Sequence, residues 1–384
     1  MEESAKQLYI NFDEYIRQGE PSQRERAEAW SVAIGLQAVD GLKTSEYLQE
    51  TARRNIEGEI TIDEARELVK QYYFTKTTRD YDDADKEEAD KVSANITKIL
   101  STDTLDFSTK GYVALHRRIF DGVFKHAGRV RDYDITKKEW VLDYDTVHYL
   151  NWEDLRRALD YDIEQERGFS YKGLSSDELI SHVTRFVSGI WQIHAFGEGN
   201  TRTTAVFTIQ YLRSLGFKVD NDLFAKDSWY FRNALVRANY KSAVKGIDYS
   251  PIYLERFFRN LLLGEQWDLR NRYLHINPPA EWSVQPNLAT PTSAPTSTPT
   301  SLISTDNKNI IRLVMALGEE QLSVKVMMER IGLKDRENFL DYSLNPSINE
   351  GFVRLLYPNS PHHPRQRYLL TVRGLALYHE FNNQ

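Results

Sequence analysis

His194-Ala-Phe-Gly-Glu-Gly-Asn-Thr-Arg202, running on into Thr203-Thr204-Ala205-Val206-Phe207, decides the architecture around it. Phe186-Val-Ser-Gly-Ile-Trp-Gln-Ile193 ahead of it reads as an apolar helix, and Ala205 to Leu215 reads as another. The polar stretch is therefore a loop between two helices that ends at a helix N-terminus. Gly197 and Gly199 let the backbone turn successive N–H groups towards one point, and Asn200 adds an amide donor. N–H groups at a helix start form an anion nest, and the helix dipole favours a phosphate there. Arg202 offers a guanidinium fork to further phosphate oxygens. Glu198 can hold Mg²⁺, which prefers oxygen ligands and usually arrives with phosphates. His194 can take a proton near neutral pH. Base, metal ligand, nest and arginine lie within nine residues, a set that suits in-line attack of a hydroxyl on a nucleotide phosphate. The same composition also describes a plain interhelical connection carrying an ordinary histidine. The residues alone leave both readings open.

Working outward, residues 91–275 read as mostly helical, with Val113 to Phe120 and Leu179 to Ile193 amphipathic. Between them Val130, Tyr133, Ile135, Trp140, Val141, Val147 and Tyr149 favour strands, with Thr136-Lys137-Lys138 as a turn, so one β-hairpin is expected. Residues 1–75 read as short helices. Arg24 to Val39 is stopped by Asp40-Gly41, Thr44 or Ser45 starts the next, and Gly58 interrupts it. Thr61-Ile-Asp-Glu64 has capping-box spacing and opens another. The acidic stretch Arg79 to Asp90 reads as a solvated linker or a helix start. Asn277 to Thr305 holds six of the twelve prolines and a single charge, Glu281, and reads as an extended tether. Beyond it, Ile310–Leu317, Val324–Ile331 and Arg336–Leu344 look helical. Phe352–Tyr357 and Tyr368–Thr371 look like strands around a polar loop, a winged-helix pattern.

The chain has 384 residues, enough for two or three domains, with 41% hydrophobic and 27% charged residues. No stretch approaches the roughly 18 apolar residues of a membrane span, and no membrane partner is expected. The acidic start MEESAKQLYINFDEY has no apolar signal core, and there are no cysteines, so a cytoplasmic protein without disulfides is expected. A net charge of −7 argues against nucleic-acid binding along the whole chain. Residues 306–384 carry ten Lys/Arg and nine Asp/Glu, a weak footprint for DNA. Arg354, Arg365 and Arg367 do cluster with His362 and His363 in the expected wing.

The string 194–202 resembles the signature of the Fic family, HxFx(D/E)GNxR, and matches every fixed position. Residues 95–275 look like a Fic domain, and GRVRDYDITKKEWVLDYDTVHY resembles the segment leading into the family's flap. The resemblance implies a mainly α fold: a helical-bundle core with a β-hairpin flap, a small N-terminal helical module and a C-terminal winged helix. It implies transfer of AMP from ATP to a Tyr, Thr or Ser hydroxyl of a target protein, releasing pyrophosphate. His194 would be the general base, and Phe196 a core anchor for the loop. Glu198 would bind Mg²⁺. Gly197, Gly199, Asn200 and Thr201 would line the phosphate cradle, and Arg202 would grip the distal phosphates. Asn239, with Phe231, would sit at the adenosine pocket; plain helix packing is the other reading of those two. Thr136, Lys137 and Lys138 would face the docked target; an ordinary charged turn is the other reading of those three. The chain departs from the family at Ala195, where proline is common, and at Thr201, where glycine or lysine is common. At Ala205 many members carry a second arginine that grips the γ-phosphate.

Residues 24–73 resemble the VbhA-like antitoxin module that accompanies Fic domains. The family's inhibitory pattern (S/T)xxxE(G/N) falls here on Leu36 and Asp40-Gly41, with Ala205 as the expected partner of Asp40. Both partners having changed, weak or absent electrostatic inhibition is expected. The helix then acts as a steric block or as a structural brace. The expected domains are 1–75, 91–276 and 306–384, with 277–305 as linker. The winged helix could bind DNA, recruit targets or dimerise, and a homo-oligomer fits this reading. Two alternatives stand: a DNA-binding regulator whose Fic core senses a nucleotide without transferring it, and a variant moving another nucleoside monophosphate.

Overall fold

A computed structural model describes residues 12–102, 104–219, 222–279, 282 and 301–382. Most of the expected linker therefore lies outside the described residues.

The fold is mainly helical. Helices α1 (Asp13–Gln18), α2 (Pro21–Gly35), α3 (Glu46–Glu57) and α4 (Ile62–Thr75) open the described chain. Their ends follow the capping residues. Ser45 Oγ accepts the Leu48 N–H, and Thr61 and Glu64 form the expected capping box. Gly41 and Gly58 take left-handed C-cap conformations at φ 74° and 84°. Phe12, Trp30, Ile34, Leu48, Ile56, Val69 and Tyr73 close a small core of their own. Between α2 and α3, Leu36–Asp40 forms one turn of 3₁₀ helix.

Helix α5 (Asp83–Leu100) begins inside the acidic stretch, whose last eight residues form its first turns. Then come α6 (Thr109–Ile119), α7 (Leu155–Gly168), α8 (Ser176–Ile193) and α9 (Asn200–Ser214). Helix α8 starts at a Ser175/Glu178 capping box and buries Leu179, Val183, Val187, Ile190 and Trp191 along one face. Helix α9 is buried from Asn200 to Leu212, so its hydroxyls need partners inside the protein. Thr203 and Thr208 donate to the Gly199 and Thr204 carbonyls at 2.9 and 2.7 Å, and Tyr112 meets the Thr204 hydroxyl at 3.2 Å. Helices α10 (Asp222–Lys226), α11 (Ser228–Ala238) and α12 (Ile252–Phe258) complete the layer around α8 and α9. Phe231 belongs to this packing, in a ring cluster with Phe224, Phe257 and Phe258.

The expected β-hairpin is absent from the fully described segment 129–150, which is extended and holds only a 3₁₀ turn at Trp140–Leu142. Its backbone bonds to itself only around that turn, where Glu139 N donates to Asp145 O at 2.9 Å and Tyr144 N to Glu139 O at 3.0 Å, and elsewhere it bonds to other parts of the chain. Arg131 N donates to Ala195 O and Ile276 N to Val141 O, both at 2.9 Å. The strand-favouring residues act as separate plugs, with Val141, Leu142 and Val147 buried in the main core.

The C-terminal part contains α13 (Lys308–Leu317), α14 (Val324–Ile331), α15 (Arg336–Phe339), α16 (Asn345–Asn349), strands β1 (Val353–Leu355) and β2 (Tyr368–Leu370), and α17 (Val372–Asn382). The strands pair antiparallel, with Arg354 opposite Leu369. The sequence reading missed α17. This part meets the core where Gly216 and Gly351 face each other. A Cβ on either would lie 2.3 Å from the other's carbonyl oxygen, so neither position tolerates a side chain. Among the described residues no helix is long and apolar enough to cross a membrane.

Candidate active site

The loop 194–199 joins α8 to α9, and its shape is fixed by side chains. His194 ends α8 in the left-handed conformation at φ 51°. Phe196 is fully buried, its ring stacked on His116 at 3.8 Å and Tyr112 at 5.7 Å. Asn200 closes the loop on itself. Its Oδ1 accepts the Phe196 N–H at 2.9 Å and its Nδ2 donates to Phe196 O at 2.6 Å. The Asn200 side chain is thereby committed, and what α9 offers an anion is its first N–H groups, which have no intrahelical acceptor. Gly199 takes φ 74°, and a Cβ there would lie 2.2 Å from the Phe120 ring. A Cβ on Gly197 would lie 2.6 Å from the Tyr133 hydroxyl. Thr201 accepts the Trp191 indole N–H at 2.9 Å, so its hydroxyl ties the end of α8 to the start of α9.

Sequence reasoning did not single out His116. It is fully buried; Gly128 N donates to its Nδ1 at 2.8 Å, and its Nε2 donates to Glu198 O at 3.0 Å. Burial pushes its pKa down to about 4. The native state therefore keeps His116 neutral while the unfolded chain protonates near 6.5. Stability is complete above about pH 6.5 and falls as the pH drops towards 4, by on the order of 3 kcal/mol from this one group. Urea unfolding of the wild type and His116→Gln across that window checks it. The variant should lose most of the slope, and an unchanged slope places the acid sensitivity elsewhere.

His194 is 97% removed from solvent. Its Nδ1 lies 3.2 Å from Trp191 O, and its Nε2 has no hydrogen-bond partner among the described residues. Burial first, then the Lys137 cation, hold its pKa well below the usual histidine value. Nδ1 thus carries the proton, and Nε2 presents a free lone pair. The segment 129–150 is fastened to this loop by Arg131, whose Nε donates to His194 O at 2.8 Å and whose Nη groups donate to Tyr133 O and Leu150 O.

Glu198 is exposed and meets Lys137 Nζ at 3.2 Å. Among the described residues no three His, Cys, Asp or Glu side chains converge on a metal position. A lone carboxylate does not make a standing metal site, but it fits a Mg²⁺ ion that brings phosphate and water ligands with it. Thr136 and Lys138 are exposed beside Lys137. Asn239 is drawn into packing: its Nδ2 donates to Ser188 Oγ and Leu235 O, both at 2.9 Å, joining α11 to α8.

Arg202 is buried and already occupied. Its guanidinium lies over the Phe120 ring at 4.8 Å, and Nη1 donates to Gln37 Oε1 at 3.0 Å. Nη2 reaches Glu88 Oε1 at 2.6 Å, and Nε pairs with Asp40 Oδ2 at 2.8 Å. Asp40 thus pairs with Arg202 rather than standing opposite the fully buried Ala205. Gly41 turns the chain away immediately after this contact.

Residues 106–212 match the Fic/DOC family model, and residues 308–371 match the model of the Filamentation induced by cAMP protein Fic-like, C-terminal domain. The chain is 24% identical over 167 residues to protein adenylyltransferase VbhT of Bartonella schoenbuchensis, covering 40% of this chain. The match spans about a third of that protein's length, 34%. A Fic family protein from Desulfovibrio desulfuricans G20 superposes with a TM-score of 0.42 at 16% identity, covering 96% of this chain and 95% of that one.

Proposed function

We propose that this chain is a Fic-type protein adenylyltransferase that moves AMP from ATP to a Tyr, Thr or Ser hydroxyl of a target protein. The observation that carries the reading is the buried His194 Nε2, with no hydrogen-bond partner among the described residues, on the loop that ends in the α9 N-terminus. The target hydroxyl gives its proton to Nε2 as its oxygen attacks the α-phosphorus. The bond from that phosphorus to the bridging oxygen breaks, and pyrophosphate leaves. The N–H groups at the start of α9 stabilise the charge that develops on the α-phosphate. Glu198 would hold Mg²⁺, which supplies charge neutralisation on the phosphates when bound. The extended segment around Thr136, Lys137 and Lys138 would lie against the target chain.

Arg202 would bind the distal phosphates once it leaves Asp40 and Gln37. The 3₁₀ turn Leu36–Asp40 is therefore an inhibitory contact in this reading, directed at Arg202. Intact mass after incubation with Mg²⁺ and ATP tests the function, with GTP, CTP and UTP in parallel and a cytosolic lysate as target source. Addition of one AMP supports it. Addition from another nucleotide keeps the chemistry and changes the donor. The occupied arginine also favours the second reading, a DNA-binding regulator acting through the C-terminal part. Salt-dependent DNA binding with no mass gain on any protein supports that one.

A further inference from the structure

Hydrogen bonding leaves the His194 ring under-determined. One nitrogen has a 3.2 Å contact to Trp191 O and the other has none among the described residues. A single contact does not fix the plane of an imidazole. Two rings do. Trp191 stands edge-on at 5.2 Å and 90°, and Tyr149 lies against the imidazole face at 4.0 Å and 30°. Tyr149 is at the far end of the extended segment, without a strand partner to hold it. Its hydroxyl donates to Glu139 Oε1 at 3.2 Å. Glu139 is 1% exposed, and its Oε2 meets Arg232 Nη1 at 2.7 Å. Arg232 comes from α11 and lies over the Trp229 ring at 5.1 Å.

We propose that Tyr149 is the positioning residue for His194, and that the buried Glu139–Arg232 pair holds it in place. A carboxylate this deeply buried is stable only beside its cation, so the pair has one arrangement and passes it on to the tyrosine. The route runs from α11 through Arg232, Glu139 and Tyr149 to the imidazole. Burial and the Glu139 charge raise the Tyr149 pKa far above neutrality. The hydroxyl is thus an anchor and not an acid, and the ring acts through His194.

The inference rests on the transferase reading of His194, so its test has one arm that needs no activity. In the full-length chain, Tyr149→Leu should lower kcat by about 10²-fold, the order expected of a reacting group displaced by about 1 Å, with KM for ATP unchanged. Tyr149→Phe keeps the ring face but loses the bond to Glu139, and should lose severalfold in kcat, well short of the leucine variant. In parallel, long-range ¹H–¹⁵N spectra of the His194 imidazole should show one Nδ1–H tautomer in the wild type and Tyr149→Phe. In Tyr149→Leu they should show mixed tautomers and a pKa moved up towards the ordinary value. If Tyr149→Leu does not fold, Tyr149→Met fills the space without a flat face and takes its place. A wild-type kcat in the leucine variant overturns the proposal. So does an unchanged His194 spectrum, or a phenylalanine variant as slow as the leucine one. An inactive wild type refutes the transferase reading and leaves the spectra to decide the positioning.

Discussion

AMP transfer by His194→Asn is expected to fall by about 10²- to 10⁴-fold, the usual contribution of a positioned general base. Asparagine is the better replacement than alanine because the backbone sits at φ 51°, a region asparagine tolerates. No neighbour substitutes for the lost base. Lys137, Arg131 and Arg232 are the charges that act on His194, and all three are cations. The other buried histidine beside the loop, His116 of α6, has both nitrogens engaged. Because His194 holds its pKa well below 6.5, the wild-type rate should stay level as the pH drops through 6.5 and decline only in more acid solution. Single-turnover mass measurements on the wild type and the variant, at several pH values, read both effects. A variant at the wild-type rate would move the base elsewhere, and a profile bending at 6.5 would mean a solvated histidine.

Asp40→Ala is expected to tighten ATP binding about tenfold, and Asp40→Ala with Glu88→Ala about a hundredfold. Asp40 faces Nε of Arg202 as an ion pair, and Glu88 accepts a hydrogen bond from Arg202, which contributes about 1.5–3 kcal/mol. These carboxylates are 35% and 25% exposed in their side chains, which brings each nearer the low end. About 1.4 kcal/mol is a factor of ten. Calorimetric titration with ATP and Mg²⁺ measures it, and an unchanged affinity would show that Arg202 takes no part in binding. Point variants are the right tool. Deleting residues 1–75 would strip Ala29, Val32, Ala33, Leu36 and Val39 from the main core and confound relief with unfolding. Weak or absent electrostatic inhibition was the expectation from Leu36, Asp40 and Ala205; the contact to Arg202 argues for electrostatic control.

The loop itself is legible because its glycines and polar residues break two apolar runs, Phe186–Ile193 and Ala205–Leu215. Gly199 meets a backbone and packing limit that only glycine satisfies, with φ 74° and the Phe120 ring 2.2 Å from where a Cβ would lie. Helix ends were equally legible where a cap is local, as at Ser45, Thr61 and Gly58. What escaped was non-local. Arg202 meets Gln37, Asp40 and Glu88 across more than a hundred residues of chain, and no local pattern encodes such a meeting. The hairpin was misread because strand propensity reports a half-buried extended backbone, which segment 129–150 has, and not a paired one. Asn239, Asn200 and Thr201 kept their places but spend their side chains on the scaffold.

The turn Leu36–Asp40 is continuous with the hydrophobic interior through Leu36 and Val39, while Ser228 bonds Gly35 O at 2.8 Å and Ser93 bonds Ala33 O at 3.3 Å. A brake supplied as a separate chain can be lost by faster degradation or by dilution. If Leu36–Asp40 acts as the proposed brake, it is made in fixed one-to-one ratio with the rest of the molecule, being part of the same chain. Under the proposed reading, relief would be a movement of this turn within one molecule, and the response would be independent of protein concentration.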